Sequence, residues 1–166
     1  MNRTVIGVFK SRGQADKAVD EFRTKGISER DISVVAREEK ARGGEGGGER
    51  GSLVSGVGGE RLRSGVATGG ALGGLAGILA GVGALAVPGI GPIVAAGPVA
   101  AGLTGALTGG VAGGLVDLGI PEERGRYYEG RVREGDIVVA VKADERKVEE
   151  AAQIMRRNGA SDVETH

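Results

Sequence analysis

The chain has no cysteine, no tryptophan and a single histidine, and four aromatic residues (Phe9, Phe22, Tyr127 and Tyr128) are the whole set. Without cysteine there are no disulfides, thiolate metal sites or thiol redox chemistry. The lone His166 is the last residue of the sequence, so a histidine-based triad or metal centre has almost no material. Scarce aromatics leave a thin supply of large core side chains, and small-residue backbone packing must carry part of the load. Net charge is zero, which removes the electrostatic reason to expect a nucleic-acid partner. The opening Met1-Asn2-Arg3-Thr4 runs straight into a strand pattern without the apolar stretch of a signal peptide, so the expected compartment is the cytoplasm.

The largest absence is local. From Ser64 to Val116, 53 consecutive residues contain no Asp, Glu, Lys, Arg or His. Glycine is abundant instead: 34 of 166 residues, roughly three times its usual share of about 7%. These contrasts divide the chain into residues 1–36, a charged glycine-rich linker at 37–63, the uncharged block at 64–118, and residues 119–166.

Each end reads as strand, helix, strand. Thr4 to Phe9 is rich in β-formers. Ser11 with Gln14 three residues on makes a capping-box pattern. Ala15, Ala18, Val19 and Phe22 share one helical face, Gly26 suits a helix C-cap, and Asp31 to Ala36 is a second strand. At the other end Asp136 to Val141 is a strand and Asp144 an N-cap. Val148, Ala151, Ala152 and Met155 share a face, Gly159 ends the helix, and Ser161 to Thr165 is a last strand. The four helix-face positions and the two capping glycines repeat at a constant offset of 133 residues. The fold class expected is α+β: a split ferredoxin-like βαββαβ sandwich with both helices on one face of a four-stranded sheet, and an inserted glycine-zipper α-helical hairpin. Its open sheet face is where such folds bind ligands or pair with another copy, by fold-level analogy.

The hairpin expectation rests on spacing. Gly65, Gly69, Gly73, Gly77 and Gly81 recur every four residues, which lines them along one ridge of a helix. After a turn at Val87-Pro88-Gly89-Ile90-Gly91-Pro92, Ala101, Gly105, Gly109 and Gly113 recur at the same interval, with Pro98 near the first turn. Ridges without side chains let helix backbones approach closely. Interior glycines cost about 1 kcal/mol each relative to alanine, so such helices need a bilayer or a tightly packed assembly around them. Length and lack of charge favour the bilayer; sparse leucine and the missing aromatic belt oppose it. The glycine run at 43–48 lacks the Gly-Lys-Ser/Thr ending of a phosphate loop and reads as linker. Farther on, Pro121-Glu122-Glu123 looks like a helix start, with Tyr127, Tyr128 and Val132 set to face the sheet or a membrane interface.

The layout resembles a bacterial family of general (heat-induced) stress proteins. The likeness is carried by Val5-Ile6-Gly7-Val8-Phe9 with its serine-started helix, Asp31-Ile32-Ser33-Val34-Val35, the stretch Val87 to Pro98, and Gly119-Ile120-Pro121-Glu122-Glu123 followed by tyrosines. What the resemblance implies is a role under stress; it assigns no activity and no residue. The residues themselves point to a non-enzymatic protein without metal or cofactor. Its partners would be further copies of itself and membrane lipid, through Gly65, Gly69, Gly73, Gly77, Gly81, Ala101, Gly105, Gly109 and Gly113. A soluble shell or filament with buried hairpins, and a small-molecule-sensing ferredoxin-like module, are the alternatives.

Overall fold

The computed structural model describes residues 2–37, 84–87, 90–100 and 110–166. Their elements run β1 (Asn2–Phe9), α1 (Arg12–Thr24), β2 (Ile32–Arg37), β3 (Ala84–Val87), β4 (Gly91–Ala96), α2 (Gly110–Val116), α3 (Glu122–Arg133), β5 (Ile137–Asp144), α4 (Glu145–Arg157) and β6 (Ser161–Thr165). The six strands form one sheet in the order β3-β4-β2-β5-β1-β6, with every neighbouring pair antiparallel. The expected α+β class holds.

At the centre lies the β1–β5 pair, in register from Asn2 opposite Asp144 to Phe9 opposite Ile137. Both strands lead directly into helices whose starts are fixed by side chains. Ser11 Oγ accepts from the Gln14 amide at 3.3 Å, and Asp144 Oδ1 accepts from the amides of Arg146 and Lys147. The capping box at Ser11 is only half made. Gln14 Oε1 is buried without a hydrogen-bond partner, because its side chain lies across against Gly159 at the end of α4. Gly26 and Gly159, at φ 76° and 92°, follow the C-caps as the spacing requires.

Ala15, Ala18, Val19 and Phe22 of α1 and Ala151, Ala152, Ile154 and Met155 of α4 bury against one sheet face, with Val5, Phe9, Ile32, Val34, Ile137, Val139 and Val141. The 133-residue offset holds for the helix faces but not for the strands. Odd-numbered residues of both β1 and β5 face these helices, which demands an even offset between the strands. The odd residue is taken up before the helix: Phe9 precedes its cap Ser11 by two, whereas the inward Ala143 immediately precedes its cap Asp144.

Two expectations are corrected. The sheet has no open second face: Ile6, Val8, Val35, Val138, Ala140, Ile93 and Ala95 are covered by Val99, α2 (Val111, Leu115), Leu118, Ile120 and α3 (Tyr128, Val132). The reason is in the strands, which carry apolar residues at successive positions and so must be buried on both sides. The domain therefore has three layers, α1/α4, sheet, α2/α3.

Nor is the block at 64–118 a hairpin of two helices throughout. Where a turn between helices was expected at Val87–Pro92, β3 and β4 form a strand hairpin, with Ala84 opposite Val94 and Val87 opposite Gly91. β4 continues onto β2, with Val34 opposite Ala96 and Arg37 opposite Ile93. The β-branched Ile93 and Val94, behind the Pro-Gly-Ile-Gly-Pro turn signal, favour strand over helix there. Pro92, which has no N–H to give, sits one step past the end of the β2 ladder. Residues 98–100 are helical, as Pro98 suggests.

The turn after β4 depends on Gly97. It sits at φ 82°, and a Cβ there would run into the Ile32 carbonyl and come within 2.9 Å of Ser33 Cα. Just beyond, Ser33 Oγ accepts from the buried Val99 amide at 3.2 Å. Substituting Gly97→Ala combines left-handed strain with a backbone clash and is expected to cost about 2–4 kcal/mol. Urea denaturation followed by circular dichroism measures it; a cost below about 0.5 kcal/mol contradicts this account.

Candidate functional site: a small-residue helix contact and a polar latch

Of the nine residues expected to pack helices closely, Gly65, Gly69, Gly73, Gly77, Gly81, Ala101, Gly105 and Gly109 lie outside the described residues. Gly113 falls within α2 and is half-buried, between the buried Ala112 and Gly114. A close approach of α3 to α2 is made at Gly125 of α3, where an added Cβ would stand 3.1 Å from the Ala112 carbonyl oxygen and 3.3 Å from its Cα. This contact is made by a glycine inside a charged, amphipathic helix, outside the glycine ladder. The spacing of Gly125 with Tyr128 and Val132, at i, i+3 and i+7 on one buried stripe, was the available signal.

A carboxylate fixes the start of α2. Glu129 Oε2 accepts from the Ala112 amide at 2.9 Å, while Arg133 lies 3.6 Å from Glu129 Oε1. An acid at a helix N-terminus satisfies an orphan donor and meets the positive end of the dipole. The segment between α2 and α3 is pinned to β1, because Thr4 Oγ1 donates to the Leu118 carbonyl at 2.6 Å in a buried setting.

Another side of α3 meets the edge strand β6. Pairing of β6 with β1 shifts register between Ile6 and Val8, and Asp162 at the irregularity takes φ 52°. Its freed backbone is used: Tyr128 Oη donates to the Asp162 carbonyl, and Tyr127 Oη to its carboxylate, each at 2.7 Å. Asp and Asn tolerate this left-handed region best among side-chain-bearing residues. Arg124 forks onto Glu164, with Nε at 2.9 Å from Oε2 and Nη2 on Oε1, and its guanidinium carbon lies 4.5 Å from the Tyr127 ring centroid. The two tyrosine rings meet edge to face at 5.5 Å. His166 Nε2 completes the cluster, 3.0 Å from Glu164 Oε2.

Electrostatics here hold Arg124, Tyr127, Tyr128 and Glu164 in their ordinary charge states. Burial, with the nearby Glu164 charge, pushes the Tyr128 phenol up; the hydrogen bond to Asp162, then burial, does the same for Tyr127. Hydrogen bonding to Glu164 raises Arg124. Burial pushes the Glu164 carboxyl up, but the Arg124 and His166 hydrogen bonds outweigh it and hold the group below its ordinary value. Every one of these shifts moves away from neutral pH, opposite to what a general acid or base needs. The cluster fastens α3 to β6.

Among the described residues no helix is long and apolar enough to cross a membrane. Among them, too, no three His, Cys, Asp or Glu stand together in a way that could hold a metal ion. The open sheet face expected to receive a ligand is occupied by α2 and α3. No family model matches the chain, and neither a curated protein nor a solved structure matches it.

Two outcomes check the latch. Tyr128→Phe leaves the Asp162 carbonyl without its donor and is expected to cost about 1 kcal/mol; Tyr127→Phe, at an exposed site, should cost less than half of that. Glu164, whose folded-state carboxyl lies below 4.5, contributes stability that is present above that pH and is lost as pH falls through the folded-state value. Urea midpoints at pH 7 and pH 3.5 should therefore fall less in Glu164→Gln than in the unaltered chain.

Proposed function

We propose that this chain is a non-enzymatic self-associating protein, whose two-sided α/β domain presents the glycine-laddered residues between β2 and β3 for close packing against further copies. One observation carries the reading. Arg37, the last residue of β2, and Leu85 of β3 both flank Ile93 of β4, on its two sides. β2 and β3 are both antiparallel to β4 and so run parallel to each other, and the chain leaves the sheet after Arg37 and re-enters it at Ala84 through points about 10 Å apart. Among the described residues the core closes around β1 and β5, and under this reading Gly65, Gly69, Gly73, Gly77 and Gly81 serve packing against another copy.

The same arrangement bears on the lipid reading. With residues 84–96 committed to the sheet, the uncharged block retains one arm of helical length before β3, residues 64–83. A single crossing by that arm would leave the charged linker at 37–63 to return through the bilayer, at a prohibitive cost for its ionised side chains. Contact with a membrane surface remains compatible with an uncharged arm, and membrane crossing does not. The small-molecule-sensing alternative loses the open sheet face and keeps only a site between paired copies of the domain.

Stripped of β3 and β4, the strand order β6-β1-β5-β2 with α1 and α4 on one face is the order two interlocked βαβ units produce. We read it as the ferredoxin-like βαββαβ arrangement, with everything between β2 and β5 inserted. The likeness to general stress proteins supplies the setting, a protein called on under stress.

The test is the untagged protein fractionated with and without detergent, then sized by light scattering. Detergent-independent assemblies that fall to monomers in Gly73→Leu/Gly77→Leu are the expected result. Assemblies unchanged by that double substitution overturn the reading, and a protein recovered only in detergent shifts it to a lipid partner.

A further inference from the structure

The helix pair α1/α4 is fastened at its far end by a dipeptide with chemistry of its own. Asn158 is the C-cap of α4 and is followed directly by Gly159. Its amide Nδ2 donates twice, to Glu21 Oε2 of α1 at 2.8 Å and to the Ile154 carbonyl at 2.8 Å. Arg157 adds an ion pair to the other oxygen of Glu21. Hydrogen bonding to Asn158, ahead of the Arg157 interactions, holds the Glu21 carboxyl below its ordinary value. Both acceptors facing Nδ2 are therefore oxygen atoms, one belonging to a carboxylate. Nothing but a donor suits this position.

Asparagine followed by glycine is the sequence most open to spontaneous deamidation, because glycine has no side chain to hinder attack by its own backbone nitrogen. The only other asparagine of the chain, Asn2, precedes Arg3. In the reaction the Gly159 nitrogen attacks Asn158 Cγ and loses its proton. The bond from Cγ to the amide nitrogen breaks, and ammonia leaves a five-membered imide. Water then opens the imide at either carbonyl, giving aspartate or its β-linked isomer. No oxidant or cofactor is needed.

The folded geometry opposes the first step and amplifies the last. The Gly159 N–H is donated to the Arg156 carbonyl at 3.1 Å, and Nδ2 is held at two points, so both reacting groups are tied while α4 keeps its last turn. Once formed, the product has no donor for Ile154 or Glu21. It sets a carboxylate against a carboxylate, at the helix end where the dipole also disfavours negative charge.

We propose that Asn158–Gly159 is a deamidation site gated by opening of the α1–α4 contact, and that its product keeps that contact weakened. Each local opening then has a chance of being recorded covalently, which turns the joint into a counter of thermal or chemical unfolding events.

The test uses the full chain. Unaltered protein is held at pH 8 and 37 °C in water enriched in heavy oxygen, in buffer and in unfolding urea, and residues 158–159 are followed by peptide mass spectrometry. Modification at least tenfold slower in buffer is expected; equal rates overturn the gating. For the consequence, Asn158→Asp is compared with Asn158→Ser, which loses the amide without adding charge. Asn158→Asp should lower the folding equilibrium constant at least fivefold beyond Asn158→Ser, and Glu21→Gln should recover most of that difference. Equal stability of the two variants, or a difference unchanged by Glu21→Gln, overturns it. An Asn158→Asp chain that fails to fold while Asn158→Ser folds supports it.

Discussion

The ladder between β1 and β5 is the constraint that the other elements answer to. It joins residues 2–9 to residues 137–144 through the whole length of both strands, and no other strand pair among the described residues holds so long a register. Each of the two strands launches one helix of the α1/α4 layer, so the ladder sets where those helices begin and which way they run. The outer strands follow: β6 pairs with β1, β2 with β5, and β4 and β3 extend the sheet beyond β2. Closing so long a loop costs little more than closing a short one, since each doubling of loop length adds only about 0.6 kcal/mol. An insertion of the size found between β2 and β5 is therefore thermodynamically tolerable once the central ladder is strong.

What makes the ladder strong is burial on both sides. Val5 and Phe9 face α1 and α4, Ile6 and Val8 face α2 and α3, and none of the four is exposed to solvent. Gly7 fits this crowding because a Cβ there would lie 2.9 Å from Met155 Sδ, so the helix sits close over the strand at that point. The scarcity of aromatics is met by placement rather than by number. Phe9, Phe22 and Tyr128 are fully buried, and Tyr127 alone is left partly outside, holding Asp162. Small residues fill the remaining spaces, as where Gly125 lets α3 lie against the backbone of α2.

Local periodicity made the two ends of the chain legible. The faces of α1 and α4, their caps at Ser11 and Asp144 and the limits of β6 were all readable from spacing, because each is decided within a few residues. The middle was misread for a related reason. Val87–Pro92 was read as a turn joining two glycine-laddered helices, although Ile90, Ile93 and Val94 between turn formers are the stronger local signal, and tertiary pairing with β2 decides the matter there. The covered second face had its own clue in the unbroken apolar runs of β1 and β5, where a half-exposed sheet would alternate. The latch around Arg124 and Glu164 had none. Its members lie forty residues apart in sequence, and only the fold brings them together.

The order in which the chain is made gives the β1–β5 pairing a further meaning. A ribosome releases β1 first and β5 some 130 residues later, a delay of roughly 7–26 seconds at about 5–20 residues per second. Through that interval Val5-Ile6-Gly7-Val8-Phe9 is a bare, charge-free strand with none of its final neighbours on either edge yet synthesised. The nascent protein thus depends on whatever shields such a strand at the exit tunnel, and in a cell short of free chaperones its yield would fall before the stability of the finished domain came into play.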